Sequence, residues 1–197
     1  MIWLKFIARQ FVTTPNIKIH NFLYLVCTFI FITCSQKSKW AGINSDFCPF
    51  SIEFPNDPIK SSNTSVVEYG KVTFNFYYYE PQNKDDDNLS YMAGCIFWPD
   101  SILNLMSIDN FFQTAIKRSA ESVFGTVISN KEIFYNEFPG REVKMKTESL
   151  GDSFIKLRVY LINNIQYILL ITMNINKDYN YSEYKFFNSF KIKPLTK

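Results

Sequence analysis

Four cysteines, one histidine and one run of acids are the residues of this 197-residue chain best suited to chemistry, and their placement leaves little for them to do. The histidine is His20, which lies in an N-terminal stretch rich in apolar residues, so nothing downstream carries an imidazole. Ser-His-Asp and Cys-His catalysis both need that imidazole to move a proton, and histidine-based zinc or iron sites need it as a ligand. Cys48 and Cys95 have no CxxC or histidine context that would lower a thiol pKa or assemble a thiolate site. The six glycines form neither GxGxxG nor GxxxxGK[ST], so no phosphate-cradling loop is expected. Asp85, Asp86 and Asp87 offer oxygen ligands, yet three consecutive acids do not all face one ion, and no EF-hand spacing surrounds them. They read as a solvated hairpin tip. The expectation is a chain with no catalytic residue, no metal and no other cofactor, although a carboxylate-only mechanism stays open without a nominated pair.

The N-terminal residues are more legible. Lys5, Arg9 and Lys18 precede Cys34 without any acid, and the first acidic residue is Asp46. Setting those three aside leaves 18 basic residues against 18 acidic ones, so the whole net charge of +3 resides in the leader. A neutral remainder lacks the basic surface that neutralises phosphates, and no nucleic-acid partner is expected. Residues 22–33 (FLYLVCTFIFIT) are apolar apart from two threonines. As a helix they would span about 18 Å, well short of the roughly 30 Å hydrocarbon core. That length suits the apolar region of a signal peptide. Its end, Phe31-Ile32-Thr33-Cys34, is similar to the lipobox of bacterial lipoproteins, with Ile32 and Thr33 replacing the commoner Leu and Gly or Ala. The resemblance implies a cleaved signal over 1–33, acylation of Cys34 (a palmitate-type lipid) and a polar tether over 34–46. It also implies anchorage by lipid in the bacterial cell envelope, at the outer membrane or the periplasmic face. Residues 1–15 are long for the basic part of a signal, which places the expected translation start near Ile17 or Lys18. In an oxidising compartment Cys48 and Cys95 could pair. Cys95 could equally pack as a buried thiol within a strand.

One α+β domain over 47–197 must then position whatever the protein uses. Residues 47–54 alternate as a strand that stops at Pro55, and Pro55-Asn-Asp-Pro58 is turn chemistry. Residues 66–79 read as one long strand, with Val72, Phe74, Phe76 and Tyr78 on one face. A polar loop over 80–88 leads into a strand over 89–98. Ser107 or Asp109 can cap a helix reaching Phe124, with Phe112, Ile116, Ala120 and Val123 as its apolar stripe and Gly125 as its terminator. Lys117, Arg118 and Glu121 are expected in solvent. Four strands follow over 126–135, 141–148, 153–162 and 165–173, joined at Phe138-Pro-Gly140, Gly151-Asp152 and Asn163-Asn164. The last is apolar on both faces and is expected at the centre of the sheet. Residues 181–189 form a short closing helix.

This order of elements resembles the PsbP-like superfamily, which includes an extrinsic photosystem II subunit and the DcrB-type bacterial lipoproteins. The resemblance rests on Phe50, Ile52, Phe54 and Pro55, on Pro139-Gly140-Arg141-Glu142 with the meander through Tyr160 and Tyr167, and on Phe186-Phe187-Asn-Ser189-Phe190-Lys-Ile192. It implies an antiparallel sheet flanked by one long helix and a short C-terminal helix, an α/β/α sandwich in a largely non-enzymatic superfamily. The function expected from it is a protein-interaction or assembly module with a protein partner. The alternative is small-ligand binding or sensing in a closed, polar-lined groove between the helix over 109–124 and the sheet. Tyr77, Tyr79, Trp98 and Arg141 are the candidate ligand or partner surface.

Overall fold

The computed structural model describes residues 40–67, 70–83, 86–148 and 151–194. Cys34 and the signal segment 1–33 lie outside the described residues, as does the first part of the expected tether, up to residue 39. Strand β1 (Ala41–Asn44) pairs antiparallel with β2 (Phe50–Phe54), which also pairs with the terminal β10 (Lys191–Ile192). The remaining strands are β3 (Ile59–Val67), β4 (Gly70–Tyr79), β5 (Asn88–Phe97), β6 (Gly125–Tyr135), β7 (Phe138–Thr147), β8 (Ser153–Ile162) and β9 (Ile165–Asn174). They form one antiparallel sheet in the order β3-β4-β5-β9-β8-β7-β6. Helices α1 (Asp100–Leu103) and α2 (Ile108–Ser122) separate β5 from β6, and a 3₁₀ turn (Ile175–Lys177) leads from β9 to α3 (Tyr181–Ser189).

The side-chain period of two gives each strand of the large sheet two faces. In β8, Ile155, Leu157 and Val159 turn toward α2, while Tyr160 and Ile162 turn toward α3 and β2. β9 holds the fourth of the seven positions and is almost wholly buried along both faces. Ser107 caps α2 by accepting a hydrogen bond from the Asn110 N–H at 3.3 Å, and Phe111, Phe112, Ile116 and Ala120 form its buried stripe.

Several expectations are corrected. Ala41–Asn44, assigned to the tether, is a strand, because its backbone completes the ladder of β2 from Ala41↔Phe54 to Asn44↔Ser51. The single strand over 66–79 is two: Val66 and Val67 belong to β3 and pair with Lys71 and Gly70. The stretch Phe138-Pro-Gly140 is the start of β7 and not a turn. The chain reverses one step earlier, at Asn136, whose φ of 53° asparagine tolerates better than most residues. Pro139 is accommodated because the β8 ladder begins only at Gly140, so its missing N–H interrupts nothing on that side. Gly140 is needed there, since a Cβ would strike the Tyr160 ring and the Val159 carbonyl. Gly125 does not terminate α2; Phe124 takes the left-handed φ of 48° and Gly125 opens β6. Finally, the layer opposite α2 is shared between α3 and the small β1-β2-β10 sheet, so one face is covered by strand as well as helix.

Candidate functional site

On the α3 face the packing is closed. Phe50, Phe54, Tyr91, Tyr167, Phe186 and Phe190 interlock, with ring centroids 5.3–6.3 Å apart at mostly edge-on or tilted angles. Cys48, just ahead of β2, is joined to Cys95 in β5 as a disulfide with Cα atoms 6.5 Å apart, tying the small sheet to the large one. Tyr77 stacks on Phe47 at 4.8 Å, and its hydroxyl donates to Asp46 at 3.0 Å.

The polar part of this face is an ion cluster. Lys156 reaches Glu183 at 2.7 Å and Asp178 at 3.2 Å, Lys144 pairs with Asp178, and the Tyr179 ring lies 3.7 Å from the Lys156 ammonium. Burial pulls the Lys156 ammonium down, but Glu183 and Asp178 outweigh it and hold its pKa above the ordinary value. Burial pushes the Asp178 carboxyl up, and Lys144 and Lys156 reverse that, leaving it below the usual range. Both groups are therefore held charged, which suits a structural ion cluster better than an acid or base exchanging protons near neutrality. Asp86 is likewise structural: it accepts from the Asn88 N–H at 3.0 Å and the Tyr91 hydroxyl at 3.3 Å, so the acidic run is only partly a solvated tip. Asp87 pairs with Lys177, and Asp85 lies outside the described residues.

The α2 face is different. α2 lies over β6, β7 and β8 through Val143, Met145, Ile155, Leu157 and Val159. Beside it, bounded by α1 and floored by β4, β5 and β9, is an open recess of about 350 Å³. Val72, Phe74, Ile96 and Ile168 line its floor, and Phe111 and Ala115 its helical wall. Trp98 stands at its edge and donates its indole N–H to Gln166 at 2.8 Å. Gly94 sits in the floor strand with the Phe74 ring leaning over it, in the space a Cβ would occupy. A recess does lie between helix and sheet, but it is open and mainly apolar, not the closed, polar-lined groove that the ligand-binding alternative called for.

The four candidate surface residues do not form one surface. Tyr77 and Tyr79 belong to the α3-side core, whereas Trp98 and Arg141 are on the α2 side. Arg141 is a clasp: its guanidinium bonds Asp109 at 2.7 Å and Glu132 at 2.9 Å and lies over the Phe112 ring, fixing the first turn of α2 to β6 and β7. Only Trp98 lines the recess. The reading of the sequence missed Gln166 and Arg118, which also line it. A signal for Arg118 existed, since Glu121, the nearest acid in sequence, is drawn to Lys117 at helical i,i+4 spacing.

A second feature is the β6 edge, one of the two edges of the large sheet. β6 is 11 residues long and ends the strand order, and Phe124, Val127, Ile128 and Phe134 are exposed on or beside it, Phe124 by 86% and Phe134 by 61%. Among the described residues no helix is long and apolar enough to cross a membrane, and no group of three histidine, cysteine or acidic side chains could hold a metal ion.

No protein-family model matches this chain, and no curated protein sequence does. Among solved structures, cyanobacterial PsbP from Synechocystis sp. PCC 6803 aligns with a TM-score of 0.52 at 8% identity, over 81% of this chain and 95% of that one. A Pseudomonas aeruginosa protein of unknown function, described as a putative regulator, aligns over 70% of this chain and 85% of its own at 9% identity, with a TM-score of only 0.32. Identity this low carries the backbone arrangement and nothing about activity. The large antiparallel sheet, the long helix on one face and the short C-terminal helix on the other give this chain a PsbP-like fold.

Proposed function

We propose that this chain is a bacterial cell-envelope lipoprotein, held at the outer membrane or periplasmic face by lipid on Cys34, whose domain binds a protein partner and performs no catalysis. The observation that carries the binding role is the β6 edge. A long edge strand presents unpaired backbone donors and acceptors, and natural proteins normally blunt such edges with charge, proline or cover. The edge carries Lys131, Glu132 and a register irregularity between Val127 and Ser129, and Phe124, Val127, Ile128 and Phe134 still leave exposed apolar surface beside it. Exposed apolar surface grouped in this way marks interaction sites, and strand addition is a common mode of protein recognition. The anchored location is supported by the basic leader, the apolar run ending at Cys34, and a Cys48–Cys95 bridge of the kind that persists in oxidising compartments.

Two experiments test the two halves. Palmitate labelling of the full chain is expected to depend on Cys34, and labelling that survives Cys34→Ser overturns the lipid anchor. Affinity capture of the full chain from solubilised membranes is expected to recover a stoichiometric partner that is lost with Ile128→Lys and Phe134→Lys. Recovery of the chain alone, or capture that ignores both substitutions, overturns the edge as the docking site.

A further inference from the structure

The polar side chains on the recess beside α2 are Asn63, Ser65, Thr114, Arg118, Ser119 and Gln166, and Arg118 alone among them is charged. Gln166 is 3% exposed, and because it accepts the Trp98 indole N–H, its oxygen must face Trp98. Its NH₂ then stands on the recess wall without a hydrogen-bond partner among the described residues. That NH₂ is not sealed from solvent, so it can meet a ligand held in the recess. Arg118, on the helical rim of the same recess, forms no ion pair among the described residues, since Glu121 is taken by Lys117. Ser119 has already spent its hydroxyl hydrogen on the Ala115 carbonyl. No acidic side chain lines the recess.

An apolar floor whose margin carries one cation, Arg118, neutral polar groups and no acid favours an apolar molecule with an anionic head. We propose that the recess binds a single-chain amphiphile with an anionic carboxylate head, a free fatty acid in type. The tail lies along Val72, Phe74, Ile96 and Ile168, and the carboxylate accepts from the Arg118 guanidinium and the Gln166 amide. The volume of about 350 Å³ falls in the lower part of the range for small-molecule sites, which suits one chain and not a two-chain phospholipid. A charge-assisted bond to a guanidinium is roughly twice as strong as a neutral one, so the head supplies selectivity and the tail most of the affinity. This inference is independent of the β6 edge, which occupies the far end of the sheet order.

The test is calorimetric titration of the full chain in phosphatidylcholine nanodiscs, with empty nanodiscs as the blank, using octanoate, octanol and octyltrimethylammonium as probes. Octanoate is expected to saturate at one per chain, octanol to bind at least tenfold more weakly, and the cation not to bind. Arg118→Gln changes only an exposed side chain, so it leaves the fold intact and is expected to bring octanoate down to the level of octanol. Ala115→Trp, checked for an unchanged unfolding midpoint, is expected to abolish binding of both by filling the recess. Equal affinity for octanoate and octanol in the parent chain, indifference to Arg118→Gln, or no saturable binding of octanoate would each overturn the proposal.

Discussion

On one face of the large sheet, α3, β2 and β10 press Phe50, Phe54, Phe186 and Phe190 into Tyr91 and Tyr167 until ring meets ring, and a disulfide pins the layer in place. On the other face, α2 covers β6, β7 and β8 and leaves β4, β5 and the near side of β9 under an open recess. The same strands serve both faces, so the difference lies in what is laid over them. A single helix is about 10–12 Å wide with its side chains, while strands repeat every ~4.8 Å, so one helix can roof two or three strands of seven. The α3 face solves this by adding a second small sheet; the α2 face has only α1 beside its helix and stays under-filled. The closed face is where stability is concentrated, and the open face is where a ligand can be received.

Substitutions on the two faces should separate them sharply. Phe186→Ala empties a fully enclosed site and is expected to cost about 4 kcal/mol, whereas Phe74→Ala at the half-buried recess floor should cost about 1–2 kcal/mol. Urea unfolding midpoints measure both, and equal losses would erase the contrast. Removing the bridge by Cys48→Ala with Cys95→Ala releases a 47-residue loop and is expected to cost about 4 kcal/mol. That loss should also appear on adding reductant to the parent chain and vanish in the double variant.

Two smaller effects sharpen the picture of the α3 face. Lys156→Met leaves Glu183 without its cation while Asp178 keeps Lys144, so about 2 kcal/mol is expected, below the 3–5 of a wholly buried pair. The pH profile should be one-sided. Burial raises the Tyr91, Tyr160 and Tyr167 phenols, Tyr167 to about 12, so the folded chain holds them neutral where the unfolded chain ionises. Their contribution is complete below the unfolded tyrosine value near pH 10 and is lost as pH rises toward the folded values, at about 1.4 kcal/mol per pH unit for each. Lys156, also raised, loses its contribution in the same alkaline window. Tyr167→Phe should flatten the decline between pH 10 and 12, and a slope unchanged by that substitution would place the phenol in water.

Much of this fold could be read from residue order. The alternation in β8, the doubly apolar β9 and the stripe Phe112, Ile116 and Ala120 each follow from local periodicity, and each stands where that periodicity put it. The errors fall where pairing overrides pattern. Ala41–Asn44 has no strand signature of its own and is ordered by the ladder of β2. β3, with Ser61, Ser62, Asn63, Thr64 and Ser65 at its centre, is an exposed edge strand held to β4, so no hydrophobic alternation announces it. The recess was partly legible, since a groove between helix and sheet follows from the order of elements. Its pairing of Arg118 with Gln166 was not, because they lie 48 positions apart and meet at one cavity only through the fold.

Gly94 has a consequence for lineage that its packing alone does not spell out. Any side chain at this position would collide with the Asn75 carbonyl as well as with the Phe74 ring and the Phe76 Cβ, and a carbonyl in a ladder has nowhere to retreat. The ring of Phe74, by contrast, rests on that glycine and, among the described residues, its one ring contact is its stacking on Phe76 at 4.9 Å. Descent should therefore treat the two positions oppositely. Position 94 should stay glycine among relatives that share the sheet, while position 74 drifts among apolar side chains of different size, each drift resetting the width of the cavity floor without a change in the backbone beneath it.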